Sequence, residues 1–293
     1  MPHGSCWRYQ SRVFIALTAT LLLLIGNGAS AADRLGKSQD HRPKRSQSDI
    51  VIVGDAYSLS DGKLRYRELH YADLNDPLGN VIKKIGYQDN HGDIFAEKTL
   101  FFSGSDSLLP ELEQSNHNTG RRLSLKKSAG LALNPPANSW TLDYQSSTKI
   151  PSKRSTLSSE VDTKYLAVID AGFDAWIAQH WPQLEAGQQH KFLFLAATKA
   201  RWIQLQASRR VCSEPSLPGV SWFTDSVCIV VEPSNSVLRW LVDPIELGYQ
   251  VLADGTPRLH QFVGLANLAD RDGRGMRVAI HYHYLPSPSA EIL

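Results

Sequence analysis

The sequence predicts a mainly β protein: a large curved antiparallel meander, an incomplete barrel of about a dozen strands, with one main amphipathic helix packed on its concave face. Three observations carry this expectation. Short β-favouring runs alternate with Gly, Asn, Asp and Ser turns over most of the chain. One stretch, Phe173 to His180, places apolar and aromatic residues at helical spacing. From Phe192 to Ala196 the chain is apolar on both strand faces, so that strand needs cover on two sides.

The amino terminus reads as an export signal. Arg8 and Arg12 precede an apolar run from Val13 to Ile25, and Ala29-Ser30-Ala31 forms an A-x-A cleavage site. The apolar run is short for a bilayer span, and no cysteine stands at the cleavage point, so an acyl anchor is not expected. Residues 1–31 are therefore expected to be a signal peptide cleaved after Ala31, with the protein released into the periplasm and not membrane-spanning. The whole chain carries 31 Lys and Arg against 29 Asp and Glu. Cleavage removes Arg8 and Arg12 and no acid, which leaves a formally neutral chain and no basic footprint for nucleic acid.

Residues 32–48 are polar, with no repeating apolar face, and read as a flexible segment. Residues 49–285 read as a single β-rich domain. Ile50-Val51-Ile52-Val53, Leu64 to Ala72, Val81 to Gln88 and Ile94 to Phe102 are successive strands, separated by Ser60-Asp61-Gly62 and Asn90-His91-Gly92-Asp93 turns. Residues 103–159 are rich in Ser, Asn, Lys and Pro and read as a loop-rich insertion, with short strands at Arg122–Lys126 and Trp140–Tyr144.

The helix is expected from Ala171 to Trp181. Phe173, Trp176, Ile177 and His180 share one face, and Asp174 and Gln179 point away towards solvent. Asp170 is placed to cap its first turn, Pro182 to end or kink it, and Gly187 to close any last turn through Leu184. Beyond it, Arg201 to Cys212 pairs with Val227 to Glu232. Ser234 or Asn235 caps a short helix at SVLRWLV, and three further strands run to Leu285. Residues 286–293 are expected to be a disordered tail.

Once Cys6 leaves with the signal, Cys212 and Cys228 are the remaining cysteines. In an oxidising compartment such a pair is expected to be a disulfide, worth roughly 3 kcal/mol in the chain-entropy model.

Reaction motifs are missing. Gly219-Val220-Ser221-Trp222-Phe223 fails the nucleophile-elbow pattern at its last position, and neither H-E-x-x-H nor a phosphate-binding glycine loop occurs. Asp270 to Gly275 imitates the start of a calcium loop but puts Arg274 at a ligand position, so a hairpin turn is expected. His281 and His283 share a strand face and would need His260 as a third ligand; a solvated polar face is the simpler account, and no metal or cofactor is expected. The protein is accordingly expected not to be an enzyme. Trp176, Trp181, Trp202, Trp222 and Trp240 crowd one part of the chain, as either core or an amphipathic surface.

V-I-D-A-G-F-D-A-W-I-A-Q-H-W, followed by L-V-D-P-I-E-L-G-Y and G-L-A-N-L-A-D-R-D-G, resembles a family of uncharacterised exported proteins of Gram-negative bacteria. The likeness spans Tyr66–Phe102 and Tyr165–Tyr284. It implies a half-barrel like those of periplasmic lipoprotein carriers and lipocalins, and it brings no functional residue with it.

Two functions compete. In the first, the half-barrel is a carrier for a lipid or other apolar ligand, with Phe173, Trp176, Ile177 and Trp181 as cavity roof and Phe192 and Phe194 as wall. In the second, the protein is a structural or assembly component of the envelope that works through contacts with another protein; an integral outer-membrane barrel is a variant that the charged faces of Leu64–Ala72 disfavour.

Overall fold

The structure, a computed structural model, describes residues 49–104, 106–128, 139–147, 149, 151–158, 164–211, 222, 225–240, 242–270 and 274–286. The expected signal peptide, the segment 32–48, the expected tail beyond 286 and Cys212 lie outside these residues. Arg45–Leu293 forms one compact unit.

Among the described residues the chain runs β1 (Ile50–Ser58), β2 (Leu64–Tyr71), β3 (Leu74–Asn75), β4 (Val81–Gln88), β5 (Ile94–Phe102), β6 (Glu111–Asn116), β7 (Arg121–Lys127), β8 (Ser139–Gln145), β9 (Lys153–Ser158) and β10 (Ala167–Val168). It continues through α1 (Gly172–Glu185), β11 (His190–Ala196), β12 (Arg201–Arg209), β13 (Val227–Pro233), α2 (Ser236–Arg239), β14 (Ile245–Val251), β15 (Pro257–Ala269) and β16 (Gly275–Tyr284). All sixteen strands belong to one sheet. The expected antiparallel meander is present, with β10–β11 as its parallel pair.

The order in the sheet is the order in the chain, cut at an unexpected place. β16 pairs with β1, so the first and last strands lie mid-sheet, and the free edges are β9 and β10. The sheet is open between two strands that are neighbours in sequence.

The edges meet through side chains. Phe194 pairs with Ile203, and both face the helix side; Leu195 and Trp202, one position on, take the opposite face of β11 and β12. There they pack with Leu125, Trp140, Leu142 and Leu157 from β7, β8 and β9. The sheet is thus rolled so that one edge overlaps the back of the other. This is why Phe192, Leu193 and Leu195 are all buried, as the two-sided apolar run requires.

The segment read as loop-rich supplies four strands. Glu111–Asn116 and Lys153–Ser158 were not expected, because ELEQSN and KRSTLS carry one Leu each as apolar anchor. Leu112 and Leu157 are both buried, and the neighbouring ladders hold the rest.

Two expectations for α1 need correction. The helix passes through Pro182 to Glu185, because Trp181 and Leu184 on either side are buried anchors. Proline's missing N–H costs one bond near the helix end, and Gly187, with φ +83, then closes it by donating to Leu184 O. Asp170 does not cap: it has φ 44, and the helix starts without a side-chain cap. Gly172 is required at the first turn, since a Cβ there would collide with the Leu108 carbonyl. The short α2 is capped as expected, with Asn235 Oδ1 accepting from Val237 N at 2.8 Å.

Candidate functional site

Strand alternation decides which side chains look into the roll. Tyr66, Glu68 and His70 of β2 share a face, and the ladders set Glu68 opposite Tyr87, His70 opposite Ile85, and Ile85 opposite Lys98. Across β1, Tyr282 and Ile280 fall on the same side, and Phe262, Leu247 and Tyr249 continue it through β15 and β14. This inner face receives α1.

The six residues expected to roof and wall a cavity do come together. Trp176, Ile177, Trp181 and Phe192 are buried in one cluster, with Phe173 and Phe194 packed against it. The Trp176 and Phe192 ring centroids are 4.4 Å apart, Phe173 and Phe192 5.3 Å, and Trp181 and Tyr249 5.3 Å. With Trp176 at 0% exposure, this side of the helix is filled by its own aromatic packing. The space expected between helix and wall is occupied by the residues meant to line it. A cleft of about 460 Å³ opens at the margin, lined by Tyr165, Trp176, His180 and His190. The His190 ring is half-buried, and burial, then the nearby His180, lower its pKa.

The other side of α1 is polar. Asp174 is accessible, yet it does not look outward: Lys83, His70, Lys98 and Asp170 are the charges that act on it. The surrounding protein pushes its carboxyl pKa up, and the three basic groups pull the other way. Tyr249, Tyr282 and Tyr284 all feel its charge. Burial comes first for each, and Tyr284 is pushed up to about 12.

Two hydrogen-bonded charge clusters lie on this side of the helix. Lys98, 4% exposed, donates to both carboxylate oxygens of Asp170 at 3.0 and 3.1 Å. The strained backbone of Asp170, which prevents capping, aims its carboxylate at the β5 lysine. Glu68 lies 3.2 Å from His70 Nε2 and accepts from Tyr282 Oη at 3.3 Å. Burial and then Glu68 raise Tyr66 and Tyr87 well above the ordinary phenol range. Tyr249 Oη and Trp181 Nε1 are buried donors without a hydrogen-bond partner among the described residues.

Elsewhere the expected residues fall as follows. His281 and His283 face outward with Asp55, and no group of three or more potential metal ligands occurs among the described residues. Cys228 is buried in β13; its expected partner Cys212 lies outside the described residues. No described helix is long and apolar enough to cross a membrane.

No protein-family model matches the chain, and no curated protein matches it. Among solved structures it is similar to a beta-barrel-like protein of a domain of unknown function, DUF1849, from Brucella abortus, at 6% identity and a TM-score of 0.40. The match covers 81% of this chain and 99% of that one. A likeness of this size carries no weight for function, and the fold stands on its own strand pairing.

Proposed function

We propose that the protein is a non-enzymatic binding or carrier module of the Gram-negative periplasm, and that its ligand enters a chamber formed between the Asp174 side of α1 and the inner face of β2, β4, β5, β14 and β16. One observation supports this above the others: Asp174, an exposed residue without an ion-pair partner among the described residues, stands among tyrosines and paired charges whose fields reach its carboxyl. A carboxylate that only stabilised the fold would be paired, as Asp170 is with Lys98. The groups around Asp174 are charged and phenolic, and those around Trp176 are apolar and closely packed. The ligand that suits the chamber is therefore amphiphilic, with a polar head towards Asp174, and not wholly apolar. Export and a Cys212–Cys228 disulfide belong to the same proposal.

Native mass spectrometry of periplasmic protein tests it. The expected result is a chain beginning at Ala32, two hydrogens lighter than the dithiol, with a co-purified small molecule that is lost from Asp174→Asn. A ligand-free chain that also fails to take up amphiphiles added in vitro overturns the carrier role.

A further inference from the structure

α2 lies outside the concavity, against β13, and it carries an apolar tip with no cover among the described residues. Trp240 is 91% exposed, and Val237, Leu238 and Val242 are exposed beside it. The tip is held firmly. Asn235 caps it, Trp240 N donates to Val237 O at 3.3 Å, and Val242 N donates to Leu238 O at 3.0 Å. At its base Arg239 and Arg210 both donate to Glu232, and the two guanidinium groups share one carboxylate. One positive charge is left at the rim of the apolar tip.

We propose that this tip is a membrane-docking knob, in which Trp240, Val237 and Val242 enter the interfacial layer of an anionic lipid surface while Arg210 and Arg239 stay among the headgroups. Tryptophan favours that layer because it is apolar in body and has one N–H to satisfy. The net charge matches an anionic surface. Size separates this from a protein interface: a stable partner covers roughly 800 Å² on each side, whereas these are four exposed side chains on α2 and the residues just after it. The inference is independent of what fills the chamber, and needs only that the protein meets a membrane face.

Co-sedimentation with vesicles tests it, using the chain from Ala32 onward so that the apolar run of the signal plays no part. Phosphatidylethanolamine–phosphatidylglycerol vesicles should carry the protein down, and phosphatidylcholine vesicles should carry less. Trp240→Ser combined with Val237→Ser should weaken partition at least about tenfold, with the unfolding temperature unchanged because both side chains are exposed. Arg239→Gln should weaken it on the anionic vesicles alone. No sedimentation of the unaltered protein, or equal sedimentation of the double variant, overturns the proposal. So does a concentration-dependent dimer that Trp240→Ser abolishes, since the tip would then be a protein interface.

Discussion

On one side of α1, Phe173, Trp176, Ile177 and Trp181 meet β11 to β14 as closed packing; on the other, Asp174 is exposed and feels the charges of Lys83, His70 and Lys98. The same fourteen-residue helix thus has one closely packed face and one exposed polar face. The difference shows what an internal helix does in a rolled sheet. Sixteen strands enclose more volume than their own side chains fill, and an apolar helix face makes up the deficit on one wall. The opposite face can then carry charge where it would otherwise be excluded.

The largest effects should come from the closed side. Trp176→Ala removes a fully buried indole that touches Phe173 and Phe192, and it should cost about 3–5 kcal/mol, read as a fall in the denaturant midpoint. A loss below about 1 kcal/mol would mean that the aromatic side is loose enough to take a ligand, and the comparison would fail.

Next is the charge pair that ties the start of α1 to β5. Lys98→Met leaves Asp170 uncompensated in a largely buried place and should cost about 3 kcal/mol. The double variant Lys98→Met with Asp170→Asn should recover much of this. Equal losses in single and double variants would show that the pair is not the tie.

The smallest effect belongs to the open side. The surrounding protein raises the Asp174 carboxyl pKa by displacing part of its water, so this group is easier to protonate in the folded state than in the unfolded one. Its contribution to stability is fully present below the ordinary carboxylate range and is lost as pH rises through its raised value. Asp174→Asn should therefore leave neutral-pH stability unchanged or raise it by less than about 1 kcal/mol, the accessible carboxylate being partly screened by solvent. The variant should also flatten the loss of stability between the ordinary carboxylate range and neutral pH. A marked destabilisation would show that Asp174 is a structural partner.

The closed side was legible in the sequence and the open side was not. Phe173, Trp176 and Ile177 announce themselves by spacing, and the two-faced run Phe192–Ala196 called for the overlap of edges that β7 to β9 supply. The chamber has no such signature. Glu68, His70, Lys83, Lys98, Asp170, Asp174, Tyr249 and Tyr282 come from seven elements or loops, and strand register alone gathers them. Asp170 misled because a carboxylate before a helix usually caps it; here a left-handed backbone turns it to Lys98 instead. Pro182 misled because its local cost is outweighed by the burial of Trp181 and Leu184. β6 and β9 were hidden because a strand held by ladders on its neighbours needs few apolar residues of its own.

The division of α1 into a closed and an open side is tested most directly by thiol labelling of two single variants, Asp174→Cys and Ile177→Cys, with a small maleimide under native conditions. The structure predicts that the thiol introduced at 174 reacts in the folded protein, whereas the one at 177 reacts only as fast as the protein unfolds. Equal protection of both, or reaction at 177 in the native state, would contradict it.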